Sequence, residues 1–129
     1  LKTLFSIDGC NITDIPSFYE EINRVFMAGE DWKIGSLDGL NDMFHGGYGA
    51  LIGCGAVVLI WRDMEKSRAA LGLEATRKFY RDKLQQPHRY DVNRISNDLA
   101  DLENGIGPTF FEIVMDIVAG HPKIELRPG

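Results

Sequence analysis

The chain has 129 residues, enough for one domain (1–129) that buries roughly two-thirds of its unfolded surface around a single core. Hydrophobic residues make up 44% and charged residues 26%, ordinary values for a soluble globular protein, and the net charge is −5. Residues 62–94 nevertheless hold nine Lys/Arg against five Asp/Glu, leaving five basic and fourteen acidic residues elsewhere; such an acidic body argues against nucleic acid as a direct ligand and permits a basic protein partner.

"TLFSI" (3–7) is a β-leaning run closed by the turn pair Asp8-Gly9. "DIPSFYEEINRVFMAG" (14–29) then spaces Ile15, Phe18, Ile22, Val25 and Phe26 as a helix, with Asp14 as N-cap, Pro16 in the first turn and Gly29 as its end. Ser36 caps a short helix whose Leu37, Leu40 and Phe44 face inward, while Asp38, Asn41 and Asp42 face outward. "GAVVLIW" (55–61) has the near-continuous apolar character of a central strand covered on both faces. Two polar segments of helical period follow, "MEKSRAALGLEATRKFYRDKL" with a break at Gly72 and "DVNRISNDLADLEN", linked by "QQPHRY". Gly107-Pro108 opens an apolar helix through Val118, Gly120 and Pro122 end it, and "KIELR" alternates as a last strand. The order of these elements predicts an α/β fold, a small parallel sheet flanked by helices with right-handed crossovers.

No apolar run is long enough to span a membrane. The opening "LKTLFSIDGC" has one lysine, no adequate apolar region and no small-residue cleavage site, so no export signal is expected. Cys10 and Cys54 lack metal-ligand spacing and read as reduced thiols of a cytoplasmic protein.

Several motifs tempt and fail. The glycines of "GGYGALIGCG" follow a helix and precede a strand, the reverse of a dinucleotide loop, and no GK[ST] is present. His45, His88 and His121 are scattered, and Ser36 and Ser67 lack a nucleophile elbow. No cofactor or metal is therefore expected. What stands out is paired carboxylates at i,i+4: Asp38 with Asp42, and Glu112 with Asp116 on the last helix. Like charges so placed cost a few tenths of a kcal/mol. Thr109-x-x-Glu112 also has capping-box spacing, which gives Glu112 a structural reason to be there. Two acidic pairs suit a glycosidase's acid and base, or an acidic surface that meets a cationic partner; periodicity does not choose between them.

"LDGLNDMF" followed, after a glycine loop, by "VVLIWRDMEKSR" resembles the barstar-like family of ribonuclease inhibitors. The shared pattern is a Leu-Asp-x-Leu-x-Asp helix and then an apolar strand that ends in Trp-Arg and runs into a polar helical turn. "IDGCNITDIPSFYEEI" is similar to that family's opening strand, turn and first helix, and "FFEIVMDIVAGHPKIEL" to its last helix and strand. The resemblance implies a three-stranded parallel sheet packed with helices, and a stoichiometric inhibitor that blocks an RNase active site with acidic side chains. It places Asp38 and Asp42 on the interfacial aspartates, Asp42 in the enzyme's phosphate pocket, Trp32 on an interfacial tyrosine and Gly46 on the loop glycine after the helix. Asn41 stands where that family presents an aromatic residue. The last-helix acidic contact becomes Asp116 or Glu112, and the capping argument favours Asp116. Most of residues 70–107 has no counterpart and reads as an inserted helical segment that holds much of the basic charge.

The expectation is a non-enzymatic cytoplasmic immunity protein, a monomer that binds one-to-one to a ribonuclease, a basic toxin domain, through Trp32, Asp38, Asn41, Asp42, Gly46 and Asp116. No direct nucleic-acid or membrane contact is expected. Its rivals are a barstar-fold binding module whose partner is not a nuclease, and a hydrolase that uses the carboxylates.

Overall fold

"VVLIWR" has no polar side chain before its last residue, which suits only the middle of a sheet. The computed structural model, which describes residues 2–129, puts it there. Strands β1 (Thr3–Asp8), β2 (Val57–Arg62) and β3 (Ile124–Pro128) form one sheet in the order β1-β2-β3. Both pairings are parallel, with Thr3 opposite Val57 and Val57 opposite Ile124. Among the described residues six α-helices flank the sheet: α1 (Ile15–Phe26), α2 (Leu37–Phe44), α3 (Met64–Ala70), α4 (Leu73–Leu84), α5 (Val92–Glu103) and α6 (Phe110–Ala119). The α/β class and the three-stranded parallel sheet are as expected.

Helix boundaries follow from caps. Asp14 and Ser17 form a reciprocal capping box at the start of α1, and the Ser36 hydroxyl accepts the Gly39 N–H at the start of α2. Helix α1 stops at Phe26, short of the expected Gly29, because Lys33 folds back to donate to the Met27 and Glu30 carbonyls, while the Asn23 amide pairs with both backbone groups of Ile34. Helix α6 begins after Pro108 rather than at it. Thr109 and Glu112 close the capping box predicted from their spacing, so Thr109 is the N-cap and the proline lies before it. The break at Gly72 separates α3 from α4 as expected.

One face of the sheet carries Ile7, Val57, Leu59, Trp61 and Ile124, which join the main core with Phe18, Ile22 and Phe26 of α1, Leu40, Met43 and Phe44 of α2, and Phe110, Phe111 and Val114 of α6. Strand β2 is buried on both sides, but its second face is covered differently from the expectation. Val58 lies between exposed Leu4 and Glu125, and Glu125 pairs with both Lys2 and Arg127.

The α4–α5 hairpin occupies the segment expected as an insertion. It has a small apolar cluster of its own, Tyr80, Ile95 and Leu102, flanked by Phe79, Leu84, Tyr90 and Leu99. Two features join it to the main body. The buried Thr76 hydroxyl accepts the Phe110 N–H at 2.7 Å, and the Phe79 ring meets the Phe110 ring at 5.4 Å. No helix among the described residues is long and apolar enough to cross a membrane.

Candidate partner-binding surface

Helix α2 is eight residues long and buries Leu40, Met43 and Phe44, which fixes the opposite side toward solvent. Asp38 and Asp42 are both exposed there, and neither has an ion-pair partner among the described residues. Asp38 lies in the first turn, where the helix dipole favours a carboxylate; Asp42, a turn further on, lacks that support.

Trp32 stands beside this helix, 46% exposed although it is one of the largest apolar side chains in the chain. Its ring meets that of Tyr48 at 4.5 Å, and the Tyr48 hydroxyl donates to the Gly39 carbonyl of α2 at 3.1 Å. Burial, with a smaller contribution from the Asp42 charge, raises the Tyr48 phenol above its ordinary value. The aromatic pair is thus held against the acidic helix by a hydrogen bond to the residue next to Asp38. Sequence reasoning missed Tyr48; the one available signal was an aromatic residue set among the glycines of "GGYG".

Asn41 does not face outward as expected. It is half-buried, and its Oδ1 lies 2.8 Å from Nε2 of the buried His121. The pairing closes a contact between α2 and the turn after α6, eighty positions away in the chain. His121 also meets His45 at 4.6 Å between ring centroids, and Lys123 donates to the His45 carbonyl at the end of α2. Burial, His45 and Lys123 all hold the His121 imidazole below its ordinary value. A depressed folded value means that the unfolded chain takes up the proton first. Stability is therefore full above about pH 6.5 and falls as the pH drops below that ordinary value. We expect the urea midpoint to decline between pH 7.5 and 5.5, and part of that decline to vanish in His121→Gln, as measured by circular dichroism. An unchanged pH profile in the variant would show that His121 does not contribute.

The glycine loop behaves unevenly. Gly46 has φ +86°, and a Cβ there would come 2.6 Å from the Lys123 ammonium; Gly49 has φ +72°, with the Phe26 carbonyl 2.7 Å from the same construction. Gly47 has open space and an ordinary backbone. Gly46→Ala should cost about 1–2 kcal/mol from the left-handed backbone alone, whereas Gly47→Ala should be neutral within about 0.5 kcal/mol. Chemical denaturation of both variants measures the difference.

On α6, Asp116 and Glu112 are both exposed, and α6 packs beside α2. The Glu112 carboxylate is engaged by the Thr109 N–H, whereas the Asp116 side chain makes no hydrogen bond among the described residues. The structure thus brings Trp32 and Tyr48 against the helix that carries Asp38 and Asp42, and places Asp116 on the helix packed beside it.

Two shallow concavities lie elsewhere, one bounded by Val25, Gly29, Glu30 and Gly49, the other by Asn11, Glu20, Glu21 and Arg24. Neither contains the acidic pair, which stands on the exposed face of α2. One group could hold a cation: ligand atoms of Asp8, Cys10 and Asp63 lie within 4.8 Å of one another. There the Lys66 ammonium already approaches the Cys10 sulfur at 3.3 Å, while Asp63 accepts from the thiol at 2.9 Å, and this hydrogen bond is the largest influence raising the thiol's pKa. The linear sequence hid this cluster because Asp63 comes 53 positions after Cys10. Compared with models of protein families the sequence matches none, and compared with curated proteins it has no significant match.

Proposed function

We propose that the chain is a barstar-like stoichiometric inhibitor of a ribonuclease, an immunity protein that blocks a basic toxin active site with the acidic face of α2. One observation carries this reading: two exposed carboxylates a turn apart, with no ion pair among the described residues, lie beside an exposed tryptophan that half-buried Tyr48 ties to the same helix. Self-repulsion within the free protein is small in water and is relieved when Arg, Lys or His of a nuclease site closes on the carboxylates. Trp32 and Tyr48 supply apolar area at the edge, where rigid rings lose little entropy on docking. The carboxylates then occupy the positions that RNA phosphates would take, and the protein itself catalyses nothing. A single exposed acidic helix also suits the insertion of one molecule into one cleft, a one-to-one complex of two monomers in the cytoplasm.

The test is titration into a panel of basic microbial ribonucleases, the barnase type included, with cleavage of a fluorogenic RNA as readout. Loss of activity that reaches completion at one equivalent supports the reading. Tight one-to-one binding to a protein without nuclease activity, with every nuclease unaffected, would favour the rival reading of a binding module. Turnover of RNA or a glycoside by the purified protein, abolished in Asp42→Ala, would replace both.

A further inference from the structure

The basic charge of residues 62–94 is distributed unevenly once the chain is folded. Arg68 pairs with Glu65, Lys78 with Asp82, and Arg77 with both Glu74 and Glu103. The cations at the tip of the α4–α5 hairpin have no such partners: Lys83 near the end of α4, Arg89 in the connecting turn and Arg94 in the first turn of α5 form no ion pair among the described residues. Lys83 and Arg89 lie against aromatic rings instead. The Lys83 ammonium lies 4.2 Å from the Phe79 centroid and 5.1 Å from that of Tyr90, and the Arg89 guanidinium lies 5.5 Å from the Tyr90 centroid.

This arrangement works against the free protein in two ways. Lys83 is half-buried, and both that burial and the nearby Arg94 push its ammonium pKa down; Asp98 and Asp38 oppose the shift without overcoming it. Arg94 also stands at the positive end of the α5 dipole, the unfavourable end for a cation, where Asp91 supplies the cap. Lys83 and Arg94 thus repel each other, and the aspartates near them close no ion pair with them among the described residues.

We propose that the tip formed by Lys83, Arg89 and Arg94 is a docking surface for an acidic protein segment. The Asp38 charge acts on the Lys83 ammonium, so the tip lies within electrostatic range of the acidic helix. The inference rests on the reading above in one respect: the segment is the acidic rim beside the same basic cleft that α2 enters. The combined surface then has two signs, carboxylates on α2 and cations on the hairpin, and a partner of uniform positive charge is disfavoured. A peptide suits the tip better than a polyphosphate chain, because Asp38, Asp91 and Asp98 interrupt the three cations, and a peptide can space its carboxylates around them where a backbone charged at every nucleotide does not.

The probe is a fluorescein-labelled twelve-residue peptide that alternates Glu and Gly, added to the intact protein at low salt and followed by anisotropy. A uridine oligonucleotide of twelve residues is measured in parallel. Saturable peptide binding is expected, at least fivefold weaker in Arg94→Glu and in Arg89→Glu. Arg89 and Arg94 are both exposed, and matching thermal unfolding of the variants will establish that they are folded. No saturable binding, equal binding by the charge-reversed variants, or tighter binding of the oligonucleotide would each overturn the proposal. Failure here leaves nuclease titration by the α2 face unaffected, and failure of that titration leaves the peptide result standing.

Discussion

Asp42→Ala should speed dissociation from the nuclease partner proposed above by roughly two orders of magnitude, while Asp38→Ala and Asp116→Ala change it far less. Truncating a buried, hydrogen-bonded charge at an interface costs about 2–5 kcal/mol or more, mostly in the off-rate, a size established on the barnase–barstar pair itself and carried over with the resemblance. The structure supplies reasons for the ranking. Asp38 is served by its own helix N-terminus and lies within the field of Lys83, so part of its charge is already answered inside the free protein. Asp116 stands on another helix, α6, with no tie to the aromatic pair. Asp42 has neither support, and it acts on Tyr48, the residue that joins Trp32 to α2. Its carboxylate is the one whose removal strands the partner's cations. Stopped-flow dissociation at two salt concentrations measures this: rim charges alter mainly the on-rate and its salt dependence, and a central one alters the off-rate at both. An Asp42→Ala off-rate within twofold of the parent, with the fold intact, would remove the phosphate-mimic mechanism.

Phe110→Ala should be the most damaging single substitution outside that surface, at about 3–5 kcal/mol, the range for deleting a buried aromatic side chain. Phe110 is fully buried, and its ring meets Phe18 at 5.8 Å, Tyr19 at 6.1 Å and Phe79 at 5.4 Å. Through Phe18, which stacks on Trp61 at 6.1 Å, it reaches the central strand. Its backbone N–H, at the start of α6, is satisfied by Thr76 from α4. One residue therefore holds α1, α4 and α6 together, and a loss of this size is a large share of the 5–15 kcal/mol that stabilises an ordinary domain. Excision of residues 74–104 should destabilise for the same reason, because it removes Thr76 and Phe79 together and leaves a buried N–H without an acceptor. Urea denaturation provides the measurement. A Phe110→Ala midpoint near that of the parent would mean that the hairpin and the main core unfold independently.

Much of this architecture is written locally. Asp14-x-x-Ser17, Ser36-x-x-Gly39 and Thr109-x-x-Glu112 place three helix starts, because a cap is satisfied within four residues of chain. The unbroken apolar run of β2 marked the sheet centre, and the spacing of Leu37, Leu40 and Phe44 turned Asp38 and Asp42 toward solvent. The misjudged boundaries, Gly29 and Pro108, are places where a distant or competing partner decided: Lys33 closed α1 early, and Thr109 took the cap from the proline.

The sequence by itself determined the elements, the exposure of the two aspartates and the charge asymmetry, since these depend on spacing along one helix or strand and on composition. Tertiary structure alone decided how the surface is assembled. It turned Asn41 inward to His121, seated Tyr48 on Gly39 beside Trp32, and separated the paired basic residues of the hairpin from the unpaired ones at its tip. The physical reason is the range of the interactions. Caps and periodicity act over three or four residues, whereas a buried polar atom or an unpaired cation is settled by whichever distant group the folded chain brings within a few ångströms.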